Sequence, residues 1–598
     1  MACVPLRFIL AIAALLACGS TSAATFRYSA SNNRIYIENG GASATLTDVK
    51  NALPNAPLDL VSSGPNVWLL RANLQITGGS TLLLHGTSIG GDVDELRIQS
   101  NNDATGYVTV TADYGTLDID TTTIDSWDAA VNGPDTDESN GRAYVRVRSS
   151  YAADGVTANE SHMDIANSEI SYLGFEGAEA YGLVWKVNVP TTADYANVNV
   201  WGSISNSHIH HNHYAVYTFG HQDGVFSNNE IDHNTGYGLD MHDDTDNLLV
   251  EANNVHDNGN HGIIFSKRCD HAIVRNNDSY NNVGNGIMMH RSSDDGLVES
   301  NRSHDNTDSG VAIFASWRTE VRNNTLLNNG SSGVRMSMGA ANSDIHDNEI
   351  GGSGSYGFYF YHGSDTPEPG DDGRPKNNAF TNNNVHDIAS DGIKMSDSDG
   401  NTFTANTFSS VGPLFELAKS TTTAITGGTI PSTVTVKLSG NSSVPASLTV
   451  RSLASLKVQL ADGYSTAQFR DSARLIFDVA PSVFTGVTPA SSLMTLTQAL
   501  IGNSATMVFR RPFSAKPSGM NVYVNPTVWA ADRAWQARAT SASGSVTYNI
   551  GSLTAGANYL VQQGSTTVGT YTANSSGHIS FTVTPGTTST LDYTATEQ

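Results

Sequence analysis

The chain has 598 residues, enough to bury a large core, and its 57 Asp and Glu outweigh 32 Lys and Arg to leave a formal net charge of -25. That balance repels polyanions and excludes nucleic acid as a partner, so an anionic ligand would need a local basic site. Of three cysteines, Cys3 and Cys18 fall before residue 25, which leaves Cys269 alone and excludes an intramolecular disulfide framework.

Residues 1–24 begin with one cation, Arg7, continue as the apolar run Phe8–Ala17 and end on small residues at Ser22-Ala23-Ala24, the layout of a secretory signal peptide. The run is too short to span a bilayer and no later stretch is long enough. The expectation is an exported protein, secreted or held in the periplasm or cell wall, with no transmembrane segment. A lipoprotein-type box at Leu15-Leu16-Ala17-Cys18 is the second reading, which Leu16 fits poorly. Residues 25–180 carry short strand and turn signals and predict an N-terminal cap running into irregular first coils.

Within residues 181–420, expected to form the coiled body, one phrase returns between Tyr237 and Gly357: Tyr237-Gly238-Leu239-Asp240, His261-Gly262-Ile263-Ile264, Asn285-Gly286-Ile287-Met288, Ser309-Gly310-Val311-Ala312, Ser332-Gly333-Val334-Arg335, Tyr356-Gly357-Phe358-Tyr359. The glycines step by 24, 24, 24, 23 and 24 residues, and asparagines keep the same beat through Asn229, Asn253, Asn277, Asn301, Asn324 and Asn348. A third series runs through Asn212, Asn234, Asn258, Asn282, Asn306 and Asn329. Such a period, with three short strands per turn, predicts a right-handed parallel β-helix whose coils bury their apolar sides only by stacking. The asparagines are read as turn residues stacked into ladders, without chemistry.

Strand alternation places the first and third residues after each glycine inward, from Leu239 and Met241 to Ile393 and Met395. The second and fourth then face outward: Asp240/His242, Ile264/Ser266, Met288/His290, Ala312/Phe314, Arg335/Ser337, Tyr359/Tyr361 and Lys394/Ser396, preceded by Val184/Lys186 and Tyr217/Phe219. This strip of polar, aromatic and cationic groups recurs every ~4.8 Å and suits a linear polysaccharide lying across the coils. A 35-residue gap between Gly357 and Gly392 predicts a loop insertion beside it. Cys269 is expected to be a small buried residue. Residues 421–517 lose the beat and predict a β-rich end-cap or connection. Residues 518–598 fit a small β-sandwich, so the fold class is all-β.

The strip is densest at Asp240-Met241-His242-Asp243, with Ser266-Lys267-Arg268 one coil on and His290-Arg291 two coils on. Histidine accepts protons near neutral pH, and the cations suit a carboxylate. Together they fit abstraction of a proton from the carbon next to a carboxylate, as at C5 of a uronate. A water or an outward tyrosine, Tyr217 or Tyr359, would return the proton.

Tyr237–Asp243, His261–Cys269 and Gly286–Ser293 resemble the matching stretches of mannuronan C-5 epimerases of the bacterial periplasmic and brown-algal types. Ser126-Trp127-Asp128, Gly141-Arg142-Ala143 and Ser168–Gly174 extend the likeness, which spans Val67 to Asn406. The resemblance implies alginate as substrate, His242 with Asp240 as the catalytic pair, and Lys267 with Arg268 on the substrate carboxylate. Met241 stands where the family usually has proline. Lys186, Tyr217, Asp243, His290, Arg291, Phe314, Arg335, Tyr359, Tyr361 and Lys394 are the expected substrate-binding set. No metal ligand and no certain cofactor is assigned; Ca2+ stays open, since Asp/Asn-rich turns bind it but no acidic calcium loop of recognised spacing occurs. A monomer is expected. A lyase on the same fold, sharing the first proton abstraction, and a non-catalytic polysaccharide binder are the rival readings.

Overall fold

In the computed structural model the chain is all-β and winds as a right-handed parallel β-helix. The structure describes residues 23–102, 106–431, 435–441, 443–453, 456–460, 466–470, 474–477, 500–501, 506–509, 513–520, 522–529 and 531–598. Most of the expected signal segment therefore lies outside the described residues. Among the described residues no helix is long and apolar enough to cross a membrane.

The first sheet stacks Gly182–Asn188, Tyr214–Phe219, Leu239–His242, Ile263–Ser266, Ile287–His290, Val311–Phe314, Ser332–Ser337, Tyr356–Tyr361 and Ile393–Ser396, each parallel to the next. A second sheet carries Val225–Ser227, Leu249–Glu251 and Ile273–Arg275, and a third Glu230–Asp232, Asn254–His256 and Asp278–Tyr280. The inward residues of the first sheet, Leu239, Met241, Ile263, Phe265, Ile287 and Met289 among them, are fully buried in one core that runs along the helix axis. Each such side chain is stabilised by about 1.5–3 kcal/mol on leaving water.

Asparagine ladders close the turns. Asn277 Oδ1 accepts from the backbone N–H and side-chain amide of Asn253, at 2.9 and 3.0 Å, while its own amide donates to Val250 O at 2.9 Å and Asn301 Oδ1 at 3.0 Å. All four hydrogen-bonding valences of a buried side chain are filled, and the same unit repeats from Asn229 to Asn406. The glycine beat belongs to the same constraint. A Cβ on Gly286 would collide with Ser303 Oγ and with the amide of Asn306, a member of the second ladder.

Coils run upstream of 181, where the sequence predicts irregular first coils, and downstream of 420, where it predicts an end-cap or connection. Upstream, Arg34–Glu38 already pairs in parallel with Asn73–His85, and that strand with Val110–Asp120. Downstream, Thr435–Ser439, Leu456–Leu460, Arg474–Phe477 and Thr506–Phe509 continue the first sheet. Stacking needs inward apolar residues, such as Val436 and Leu438, and not the glycine phrase. At the N-terminal end a short helix, Leu46–Ala52, is started by a capping box between Thr45 and Asp48 and buries Leu46 and Val49. Beyond Phe513 the pairing turns antiparallel. Two sheets meet there on Trp535, Tyr548, Phe581 and Tyr593, with the Trp535 and Tyr548 rings 5.1 Å apart, which is a β-sandwich.

Replacing Asn277 by Leu removes one oxygen that accepts two hydrogen bonds and two N–H donors inside the core, and should cost about 3 kcal/mol or more. Urea unfolding is the check: the midpoint should fall clearly for Asn277→Leu and stay within error for the exposed Val283→Ala.

Candidate active site

The strand Leu239–His242 points Leu239 and Met241 into the core and Asp240 and His242 to the outer face, so the inward Met241 leaves the outward pair undisturbed. Its register aligns Tyr217, Asp240, Ile264 and Met288 in one column and Phe219, His242, Ser266 and His290 in the next. The turn that follows holds two successive left-handed residues on three consecutive coils: Asp243 and Asp244, Lys267 and Arg268, Arg291 and Ser292. Non-glycine residues adopt this conformation at a cost of about 1–2 kcal/mol. Here it brings the charged side chains of neighbouring coils together beside the histidine column.

Asp243 is the hub of that turn. His242 Nδ1 lies against Asp243 Oδ2, while Asp243 Oδ1 accepts from Lys267 Nζ at 3.0 Å and from Arg268 Nη2 at 2.7 Å. Burial raises the Asp243 carboxyl, but His242 and Lys267 outweigh it and hold it down to about 2. The aspartate is therefore ionised and fixes the imidazole orientation, leaving His242 Nε2 without a protein partner among the described residues. Arg268 also grips Asp244 through Nε at 3.0 Å and Nη2 at 2.8 Å, so its guanidinium is spent on two carboxylates of the protein. Lys267 remains half exposed and uses one of three N–H donors on Asp243.

Next to this turn lies a cleft of about 470 Å³ lined by Tyr181, Tyr214, Tyr217, Tyr237, Asp240, His242, His261, Ile264, Ser266, Met288 and His290. Asp240 sits at its floor, only 4% exposed. Burial pushes its carboxyl up to about 7, against the pull of His242 and with the help of Asp243. Burial first and the Asp240 charge second also raise Tyr181, Tyr214, Tyr217 and Tyr237, so these phenols stay protonated. The Tyr217 and His242 rings are 5.6 Å apart, and Tyr181 stacks on Tyr214 at 4.7 Å. Beyond Asp240 the column turns apolar: Ile264, Met288 and Ala312 form a small second cluster under Tyr237 and Phe314. The expected exposed strip is there an apolar floor.

The other expected residues spread along the groove. Lys186 lies two coils before His242, its Nζ 3.2 Å from the Phe219 ring centroid and 3.8 Å from Glu179. His290, two coils after His242, meets Ser266 Oγ at 3.1 Å; burial and Arg291 lower it to about 4, so its ring is neutral. Arg291 pairs at 2.9 Å with Asp365 of the insertion, which thus reaches back across three coils as a wall of the groove. Phe314 packs on His290 with ring centroids 4.7 Å apart, and Arg335 is held by Asp308 at 2.6 Å. Tyr359 and Tyr361 stack 4.8 Å apart and Lys394 pairs with Glu416 at 2.7 Å. Tyr359 is five strands along the ladder from Asp240, roughly 24 Å away, which removes it as a proton source for the carbon His242 would serve; Tyr217 remains in reach. Cys269 is buried, and burial drives its thiol up, as expected for an unreactive packing residue.

Sequence reasoning missed Tyr181, Tyr214 and His261. Tyr237, also missed, and His261 stand just before glycines of the beat and Tyr181 just before Gly182, whereas Tyr214 precedes Ala215 and carried no such signal. Arg146 and Arg148 were missed too; they continue the two outward columns one coil before Val184 and Lys186, in a coil without the phrase. Among the described residues, the group with ligand atoms close enough for one metal ion, Glu169, His208 and His210, lies outside this cleft.

A family model described as right handed beta helix region matches residues 138–294, 195–350 and 267–443. No curated protein matches the chain significantly. Among solved structures, the periplasmic alginate epimerase AlgG is similar at 21% identity over 63% of this chain and 84% of its own, with a TM-score of 0.53. The A-module of the Azotobacter vinelandii mannuronan C-5 epimerase AlgE6 matches at 17% identity over 66% of this chain and 91% of its own, with a TM-score of 0.39. At these identities the likeness shows the fold alone.

The two aspartates give opposite pH dependences. Asp240 binds its proton more tightly folded than unfolded, so its contribution is most favourable below 3.8 and declines as pH rises to about 7. Asp243 contributes stability above 3.8 that is lost as pH falls toward 2. Calorimetry across pH should show Asp240→Asn raising the unfolding midpoint at pH 8 and removing the decline between pH 4 and 7; an unchanged slope would refute the assignment.

Proposed function

The chain belongs to the right-handed beta helix region family, and on that scaffold we propose a mannuronan C-5 epimerase that converts β-D-mannuronate to α-L-guluronate within alginate. One observation carries the reading: an imidazole held at Nδ1 by an ionised carboxylate presents its free edge to an open cleft with protonated tyrosines on one side and a half-exposed lysine at the turn. His242 Nε2 takes the C5 proton, and the electron pair left behind delocalises into the uronate carboxyl group. Lys267 uses its two spare N–H donors to balance that charge, while Arg268 keeps Asp243 and Asp244 neutralised. Tyr217 returns a proton from the other face, and proton exchange with solvent restores His242 and Tyr217. Asp240, half-protonated near neutrality, presents a donor where a full negative charge would repel the substrate. The shared fold with AlgG, a periplasmic alginate epimerase, also supports the reading.

The groove fits the length of a polymer. From Lys186 to Lys394 it runs over eight strand spacings, roughly 38 Å, with Arg335, Tyr359 and Tyr361 along the far half. We assign these residues, with Asp243, His290, Arg291 and Phe314, to polymer binding. The protein acts as a monomer after export to the periplasm or beyond.

Incubation of polymannuronate in deuterated water should place deuterium at C5 of newly formed guluronate, read by proton NMR. An unsaturated uronate band in the ultraviolet would instead identify a lyase, and an untouched polymer a binder. His242→Ala should lower turnover about 10²–10⁴-fold with an unchanged circular dichroism spectrum. Asp240→Asn should keep turnover from declining as pH rises through about 7, whereas the native enzyme declines there.

A further inference from the structure

Away from the groove, the third sheet gathers histidines that the proposed reaction does not use. The sequence Ser207-His208-Ile209-His210-His211-Asn212-His213 places His208 and His210 on the outward face of one strand, with Ile209 buried between them. Their rings stack 4.1 Å apart. On the preceding coil Glu169 is the register partner of His208, and on the following coil Asp232 is the partner of His210. His210 Nε2 is 3.2 Å from Glu169 Oε1, His208 Nε2 is 2.6 Å from Asp232 Oδ1, and the Nδ1 atoms of His210 and His211 face each other at 2.7 Å.

Stacking does not require this set. The same two outward columns hold Asn254 and His256, then Asp278 and Tyr280, then Thr325 and Leu327 further along. Imidazole–carboxylate pairs recur further along at His256, His304, His346 and His386, but among the described residues it is at Glu169, His208 and His210 that three ligand-capable atoms lie within 4.8 Å of one another.

We propose that Glu169, His208 and His210 form a binding site for a divalent transition-metal ion of the zinc type, joining two successive coils of the solenoid. Two imidazoles and a carboxylate suit a borderline ion such as Zn2+ or Co2+ and leave positions for water; the hard ions Ca2+ and Mg2+ prefer all-oxygen sets. Asp232, already hydrogen-bonded to His208 and His233, fixes the His208 ring from the next coil, as outer carboxylates do for metal-bound histidines. An ion there binds the folded chain alone, because unfolding separates Glu169 from His208 by 39 residues of loose chain, and so it raises stability by mass action. This inference does not depend on the reaction assigned to the groove.

Titration of the chelator-treated, untagged full-length protein with Zn2+ by calorimetry should reveal a saturable site of one ion per chain, together with a rise in the unfolding midpoint. Co2+ should give the visible absorption of nitrogen and oxygen ligation. His208→Ala/His210→Ala should abolish both effects, while His256→Ala/His304→Ala should keep them. Should the double variant fold poorly by circular dichroism, Glu169→Gln provides the second reading, with binding expected at least tenfold weaker. Absence of saturable binding, or binding that persists in the variants of His208, His210 and Glu169, overturns the proposal, as does equal displacement by Ca2+.

Discussion

The structure depends on one repeated interaction: the buried asparagine whose side chain bonds the coil above and the coil below. Each rung satisfies its own four polar valences and a carbonyl of the core, which would otherwise be left unpaired at a cost of about 1–3 kcal/mol each. Because consecutive rungs are hydrogen-bonded to one another, every coil keeps the same phase as its neighbour. That phase is what puts His242, Ser266 and His290 in one column, and Asp243, Lys267 and Arg268 at one corner.

On this rigid frame the charged corner is balanced in itself. Asp243 and Asp244 face Lys267 and Arg268, so two negative and two positive groups meet within a chain that is strongly acidic elsewhere. The left-handed backbone of the turn is the local strain that permits this meeting, and the ion pairs offset part of it. Beside the corner, Asp240 is buried among phenols without a donor among the described residues. The same strand therefore carries one carboxylate held low and one acid held high, an asymmetry set wholly by environment.

Much of this was legible in the sequence. The 24-residue beat gave the solenoid, and alternation after each glycine separated core from surface for the whole run from Leu239 to Met395. The cluster of Asp240, His242, Asp243, Lys267 and Arg268 was legible because a near-constant period turns sequence offsets into spatial neighbours. What was not legible depended on distances within the cleft. Arg268 looked available to a ligand, yet Asp244 and Asp243 occupy it. Ile264 and Met288 looked exposed, yet Tyr237 and Phe314 cover them. The coils beyond 420 carried no beat because their inward apolar residues, Val436 and Leu438, stack without the glycine phrase, as Val145 and Val147 do in the first coils.

The insertion after Tyr361 adds eleven residues to one coil, yet Asn348 still bonds Asn383 at 2.9 Å exactly where a neighbouring rung would stand. Extra chain is thus expelled at a corner of the solenoid while the internal spacing stays intact. Extra length at that corner leaves the asparagine ladder unbroken, while Asp365 within it reaches Arg291 beside the histidine column, so the enclosure of the groove can change while the ladder keeps its spacing. A shorter or longer excursion there would reshape what the groove admits while the rung from Asn348 to Asn383 held its place.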